Sequence, residues 1–323
     1  MSEPDAARPA RRGAFALIRI ALAALVLIAV AIALAKNWSA VADHLGEVSA
    51  SAWVLALAFG IASPALSMLG WRALLADLGS PLHVAPASGV FLVGQLGKYL
   101  PGSVWSVLAQ AEIAARLDVP RRRTGVVGLV TMALALLCGA LVGLPAVPAL
   151  LGRGGGDALP LIGIAVVLLL GALWPPLLNR AIATGLRLLR REPLEHDFNG
   201  RAIVAAAAWT TLAWLSTGAI VWAFARDIRG LTGSGGEVAL VSISGFCLAA
   251  AIGMASILLP AGVGVREGIL VLLLVGVMTT PAATAVVVLA RFVTVIADVL
   301  WAGIGWAWAR AHHLLPEHMS SRT

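Results

Sequence analysis

Six ionisable side chains interrupt stretches that are otherwise apolar: Lys98, Glu112, Arg266, Glu267, Arg291 and Asp298. Two groups of them sit beside backbone breakers. Lys98 and Tyr99 lead into Pro101, Gly102 and Ser103, while Gly262 and Gly264 precede Arg266 and Glu267. A helix that restarts after such a break presents unpaired N–H groups and a partial positive charge. Ser103 is a good N-cap for one restart, and the glycines let backbone approach a ligand closely. Lys98 and Arg266 add full charges, and a guanidinium holds phosphate oxygens bidentately. The pattern therefore suits an anionic headgroup, with Tyr99 as a further donor. Glu267 then pairs with Arg266 or Arg291, or meets a cationic part of the headgroup. Asp298 follows Arg291 by seven residues, on the same helix face. The plainer alternative is that these charges form buried ion pairs that pin the chain. No nucleophile and base, and no metal-ligand spacing, can be assembled. Cys138 and Cys247 lie in apolar runs as small hydrophobes, and the histidines fall in loops or the tail. The expectation is no enzyme activity, no cofactor and no metal.

The elements carrying these residues must be read in the right solvent. Of 323 residues, 60% are hydrophobic and only 12% charged, and the mean hydropathy is +0.94. No soluble domain of this size hides so much apolar surface. Runs such as 15–35 and 125–151 match the ~20 residues that cross a ~30 Å hydrocarbon core. The net charge of +7 is carried by short loops beside these runs. That is an orientation signal rather than a nucleic-acid groove. The first apolar stretch is too long for a signal peptide and reads as an uncleaved span.

Threading the chain with its arginines on one side gives spans at about 13–35, 52–78, 125–151, 159–178, 202–225 and 282–309. Segment 87–116 ends in Arg116, Arg121, Arg122 and Arg123 and carries Lys98 and Pro101-Gly102 at its centre. A single crossing would put that cluster on the wrong side, so the segment is expected to be a re-entrant hairpin. Segment 238–280, broken around Gly262, is read the same way from the opposite side. The fold class is thus an all-α polytopic membrane protein in one integral membrane domain, residues 1–323. It has about six transmembrane helices plus two re-entrant hairpins, about eight membrane segments in all. The order span, span, hairpin, span occurs twice with opposite starting sides, at about 13–151 and 159–310, as two inverted-topology repeats. Both termini, including the tail 311–323, fall on the cytoplasmic side. Leu-Pro at Leu100 and again at Leu259 echoes within the two breaks.

"GQLGKYLPGSVW" at Gly94–Trp105, an arginine-rich turn, "LLPAGVGVREG" at Leu258–Gly268 and the downstream "AATAVVVLARFVTVIADVLWA" together resemble the lysylphosphatidylglycerol synthase transmembrane-region family. The first motif departs from the family's form, with Trp105 and Ser106 in place of glycines. The resemblance implies a flippase-like membrane domain, found in some members fused to a soluble synthase domain that is expected to be absent here. It implies transport of an anionic phospholipid or lipid-linked headgroup across a bacterial inner membrane. Membrane lipids are then the partners, with no nucleic acid, and a homo-oligomer or a separate lipid-modifying enzyme as further company. The competing expectations are a proton-coupled transporter of a small soluble anion, using Glu112 or Asp298, and a non-transporting accessory protein.

Overall fold

The computed structural model describes residues 42, 44–95, 97, 104–152, 155–188, 190, 194, 196–255 and 264–312. The expected span 13–35 lies outside them. The described elements are helical, apart from one isolated bridge between Leu231 and Met278. In chain order they are α1 (Ala50–Asp77), α2 (Val84–Gln95), α3 (Val104–Ala114), α4 (Arg121–Gly143), α5 (Val147–Leu151), α6 (Gly155–Leu173), α7 (Pro175–Leu188), α8 (Gly200–Ala225), α9 (Gly235–Ala255), α10 (Val265–Leu274) and α11 (Thr280–Ala311). Among the described residues, five stretches are long and apolar enough to cross a bilayer: Ala50–Asp77, Arg121–Leu151, Gly200–Ala225, Gly235–Ala255 and Thr280–Gly305. The pair α6–α7 makes a sixth if counted as one span. The protein is a polytopic helical membrane protein.

Its packing fits lipid rather than water. Large side chains such as Val54, Ile164, Val167, Leu168, Leu272 and Val299 face outward. Alanines such as Ala52, Ala56, Ala206, Ala249, Ala283 and Ala297 fill the interior. Between apolar helices in lipid, close approach through small residues and interhelical hydrogen bonds replaces the hydrophobic drive. Ser216 Oγ donates to the Phe59 carbonyl at 2.9 Å, Trp301 Nε1 to Ile61 at 2.9 Å and Trp214 Nε1 to Ala135 at 2.8 Å.

The central pair is α1 and α8, which run antiparallel and are tied at both ends. The backbone N–H and hydroxyl of Ser49, the N-cap of α1, donate to the Asp227 carboxylate just beyond α8. At the other end the N–H of Asn199, the N-cap of α8, donates to Asp77 Oδ2 at 2.8 Å, and Asp77 ends α1. Both helices are followed by a glycine with positive φ, 76° at Gly79 and 93° at Gly230, where a side chain would be strained.

The remaining helices pack around this pair in matched fashion. α2 lies against α11 as α9 lies against α4, and α3 against α4 as α10 against α11. α1 meets α2 and α11 as α8 meets α9 and α4. Among the described residues, the buried apolar side chains form two cores. One joins Met68, Trp71 and Leu75 to Phe91 and Val127, and the other joins Phe224 and Ile228 to Phe246, Leu273 and Val286.

Several boundaries differ from the sequence expectation. The third span is α4 followed by a 3-10 turn at Leu144–Ala146 and then α5, because Pro145 and Pro148 interrupt the ladder. The fourth ends at Leu173, after which Pro175-Pro176 starts α7 at a 66° bend. In the segment expected as 238–280, the first arm α9 has 21 residues, long enough to cross by itself, whereas α10 has 10.

Candidate functional site

The α10 N-terminus is built by its sequence. Gly264 is the N-cap with φ 90°, a conformation open to glycine. Its N–H donates to Glu267 Oε2 at 2.8 Å. Glu267, at the third helical position, so supplies the carboxylate half of a capping box. The other oxygen, Oε1, faces two arginines: Arg266 Nη2 at 2.7 Å and Arg291 Nη1 of α11 at 3.9 Å. The Arg266 guanidinium also lies over the Phe246 ring of α9, 5.5 Å from its centroid. Three helices thus meet here, α10 and α11 at the carboxylate and α9 beneath Arg266.

The depth of this cluster follows from helix rise. α10 ends beside the Gly230–Gly233 loop, where the N–H groups of Thr232 and Gly233 donate to the Val277 carbonyl and that of Thr279 to Gly230. α11 starts from the same place. Arg266 lies about eight residues back along α10 and Arg291 eleven along α11. At 1.5 Å per residue both lie ~12–17 Å along their helices from that end, about half the length of a membrane-crossing helix. Two guanidiniums and one carboxylate thus meet beside the positive end of α10. Their side chains are only 16%, 26% and 12% exposed for Arg266, Glu267 and Arg291.

Of the residues singled out from sequence, Gly264, Arg266, Glu267 and Arg291 are brought together. Asp298 lies on α11 beyond Arg291, ~10 Å further along the axis. Glu112 does not join them. It accepts Nε and Nη2 of Arg121 at 2.9 and 3.0 Å, with 66% of its side chain exposed, where α3 meets the start of α4. Its counter-charge lies nine residues ahead in the chain, so local pairing captures it. Lys98, Tyr99, Pro101, Gly102, Ser103 and Gly262 lie outside the described residues.

The break that carries Lys98 is flanked by an antiparallel pair. A side chain at Gly94 would collide with Gln110 Cγ at 2.3 Å, and one at Gly97 with the Ser106 backbone at 2.4 Å. α2 leaves the end of α1, and the chain is back there at the start of α4, where Arg123 Nη1 donates to Ser80 Oγ at 3.0 Å and to the Gly79 carbonyl at 3.3 Å. This end is basic, with Arg116, Arg121, Arg122, Arg180, Arg187 and Arg201 near it. At the opposite end, Glu47 accepts the Arg229 N–H at 2.8 Å and pairs with His44 at 3.0 Å. These contacts, the Arg229 N–H foremost, hold its carboxyl below the ordinary range.

Phe246 had no signal in the sequence, since an aromatic residue in an apolar run has no distinguishing spacing. The paired acids at the helix ends did have one. Asp77 and Asp227 each follow a Trp by five or six residues and precede a Gly by two or three, and Thr-x-Val-Val-x-Leu at Thr124–Leu129 recurs at Thr284–Leu289.

No curated protein matches the chain in a sequence comparison. The family model described as "Lysylphosphatidylglycerol synthase TM region" matches residues 17–302, which includes both broken segments and the whole α10–α11 cluster. The chain belongs to the lysylphosphatidylglycerol synthase transmembrane-region family.

Proposed function

We propose that this protein moves a lipid with an anionic, phosphate-bearing headgroup between the leaflets of a bacterial inner membrane. The observation that carries the reading is the mid-depth cluster of Arg266, Glu267 and Arg291. Charges at that depth are costly, about 2.5–3.5 kcal/mol each on insertion scales, and two guanidiniums beside a helix N-terminus offer donors to an anion. Family membership and the outward-facing apolar surface support a lipid as the substrate. The protein acts by binding and reorienting the headgroup, with no catalysis of its own, and a separate enzyme supplies any modified lipid.

The proposed mechanism uses two inverted-topology repeats, with α2–α3 and α9–α10 as re-entrant pairs entering from opposite faces. The reciprocal ties Ser49–Asp227 and Asn199–Asp77 support this, because each is the other displaced by 150 residues in both partners. The two pairs leaving and returning at opposite ends of the bundle support it too. The lengths of α2, α3 and α10, 12, 11 and 10 residues, correspond to ~15–18 Å, half a hydrocarbon core, while α9, at 21 residues, is the one arm that reaches across it. The basic end then faces the cytoplasm, with both termini.

Reconstitution in liposomes with headgroup-labelled phosphatidylglycerol tests the function. Wild type is expected to speed leaflet exchange, and Arg266→Ala, Arg291→Ala and Lys98→Ala to reduce it at least about tenfold, as loss of a charge-assisted contact implies. Unchanged exchange in all three variants, or uptake of a soluble anion without lipid movement, overturns the proposal.

A further inference from the structure

The geometry points to α7 as an in-plane membrane-surface helix that binds the anionic headgroups of the leaflet at the basic end, rather than the second half of a span. Its position comes from the bend and one anchor. α6 already has 19 residues, enough for ~28 Å, and the chain turns by 66° at Trp174 before α7 starts. The Asn179 side chain then grips the backbone of Phe198 twice, donating to its carbonyl at 2.9 Å and accepting its N–H at 3.1 Å. Phe198 adjoins Asn199, which is tied to Asp77 at the end of α1. α7 is thereby held at the level where the spans end.

Its faces divide into three at 100° per residue. Leu178, Ile182 and Leu186 pack on the core that contains Leu78 and Val119. Leu177, Ala181 and Leu188 share a second, exposed stripe, with Leu177 and Leu188 46% and 79% exposed. Arg180 and Arg187 lie seven residues apart on a third stripe beside it, both exposed. Arg190 follows in the next turn, also exposed. An exposed apolar stripe bordered by guanidiniums is the pattern of a helix at the acyl–headgroup boundary. The leucines enter the hydrocarbon and the arginines meet phosphates. Trp174, 61% exposed at the bend, is placed as an interfacial anchor. Charge complementarity identifies the occupant as anionic lipid. The surface is separate from the mid-depth cluster, so the two readings stand or fall independently.

The test uses the full chain in nanodiscs of phosphatidylglycerol and phosphatidylcholine. Nitroxide labels at Leu177→Cys, Ala181→Cys and Leu188→Cys report depth. An in-plane helix gives depths within about 5 Å of one another, whereas a continuing span gives a ~16 Å change over these eleven residues. Spin-labelled lipids then measure preference. Wild type is expected to immobilise phosphatidylglycerol at least about threefold over phosphatidylcholine, and the Arg180→Gln/Arg187→Gln variant to lose most of that excess. The double variant keeps its Leu178, Ile182 and Leu186 packing, so an unchanged depth profile shows it is folded. A progressive depth change overturns the proposal. So does equal lipid preference in wild type and variant.

Discussion

Glu267 is the residue on which the mid-depth site turns. One carboxylate satisfies the Gly264 N–H, Arg266 and Arg291 at once. Its removal leaves two guanidiniums facing each other at low dielectric. Glu267→Gln is expected to lower stability by on the order of 2 kcal/mol, less than a fully enclosed pair because the side chain is partly open. Thermal unfolding in detergent checks this, and the Arg266→Met/Glu267→Met double variant is expected to recover part of the loss. A single variant as stable as wild type would remove the carboxylate from its structural role. The sequence offered Glu267 either Arg266 or Arg291 as a partner, or a cationic part of the headgroup, because few other charges lie in the apolar segments. It did not show that both share one oxygen, nor that Phe246 lies under Arg266, since those contacts depend on how α9, α10 and α11 meet. Glu112 lies apart from the cluster for the complementary reason: Arg121 is close in the chain and pairs with it.

At the level of elements, glycine sets how close the helices come. A side chain at Gly218 of α8 would stand 2.8 Å from the Ile243 carbonyl of α9, and one at Gly143 of α4 would stand 2.6 Å from the Leu248 N. Both obstacles are backbone, so neither gives way. Gly218→Ala and Gly143→Ala are each expected to cost about 1–3 kcal/mol, while Gly163→Ala in α6, with open space around it, is expected to leave stability unchanged. Thermal unfolding of the three variants decides, and equal effects would overturn the assignment. Gly139 and Gly143 invite a single close crossing when read from the sequence. In the fold they serve two neighbours, Trp214 and Leu248. Four of the spans among the described residues, α1, α4–α5, α8 and α11, were legible from apolar length, whereas α9 was read as one arm of a hairpin. The bend at Trp174 and the turn at Leu144–Ala146 were less so, because proline marks a break without stating its angle.

For the whole molecule, the decisive feature is the antiparallel α1–α8 pair with its reciprocal end ties. If the repeats are inverted in the membrane, Ala76→Cys and Arg229→Cys, each next to one tie, face opposite sides. Both positions are exposed, and the native Cys138 and Cys247 are buried. A membrane-impermeant maleimide added to intact cells is expected to label Arg229→Cys and to reach Ala76→Cys only after permeabilisation. Labelling of both from outside would defeat the topology.

The sequence by itself determined the solvent, the all-helical class, most span positions and the short set of charges that had to be accounted for. Composition and periodicity are local quantities, and a bilayer imposes the same length and polarity on every crossing segment. Tertiary structure alone decided which charges meet, that α1 and α8 form the central pair, and that α7 turns aside at Trp174. Those outcomes depend on the approach of backbones at glycine and alanine, and on hydrogen bonds between residues about 150 positions apart such as Ser63 and Thr217. Residues so distant carry no spacing signal that a single chain can display.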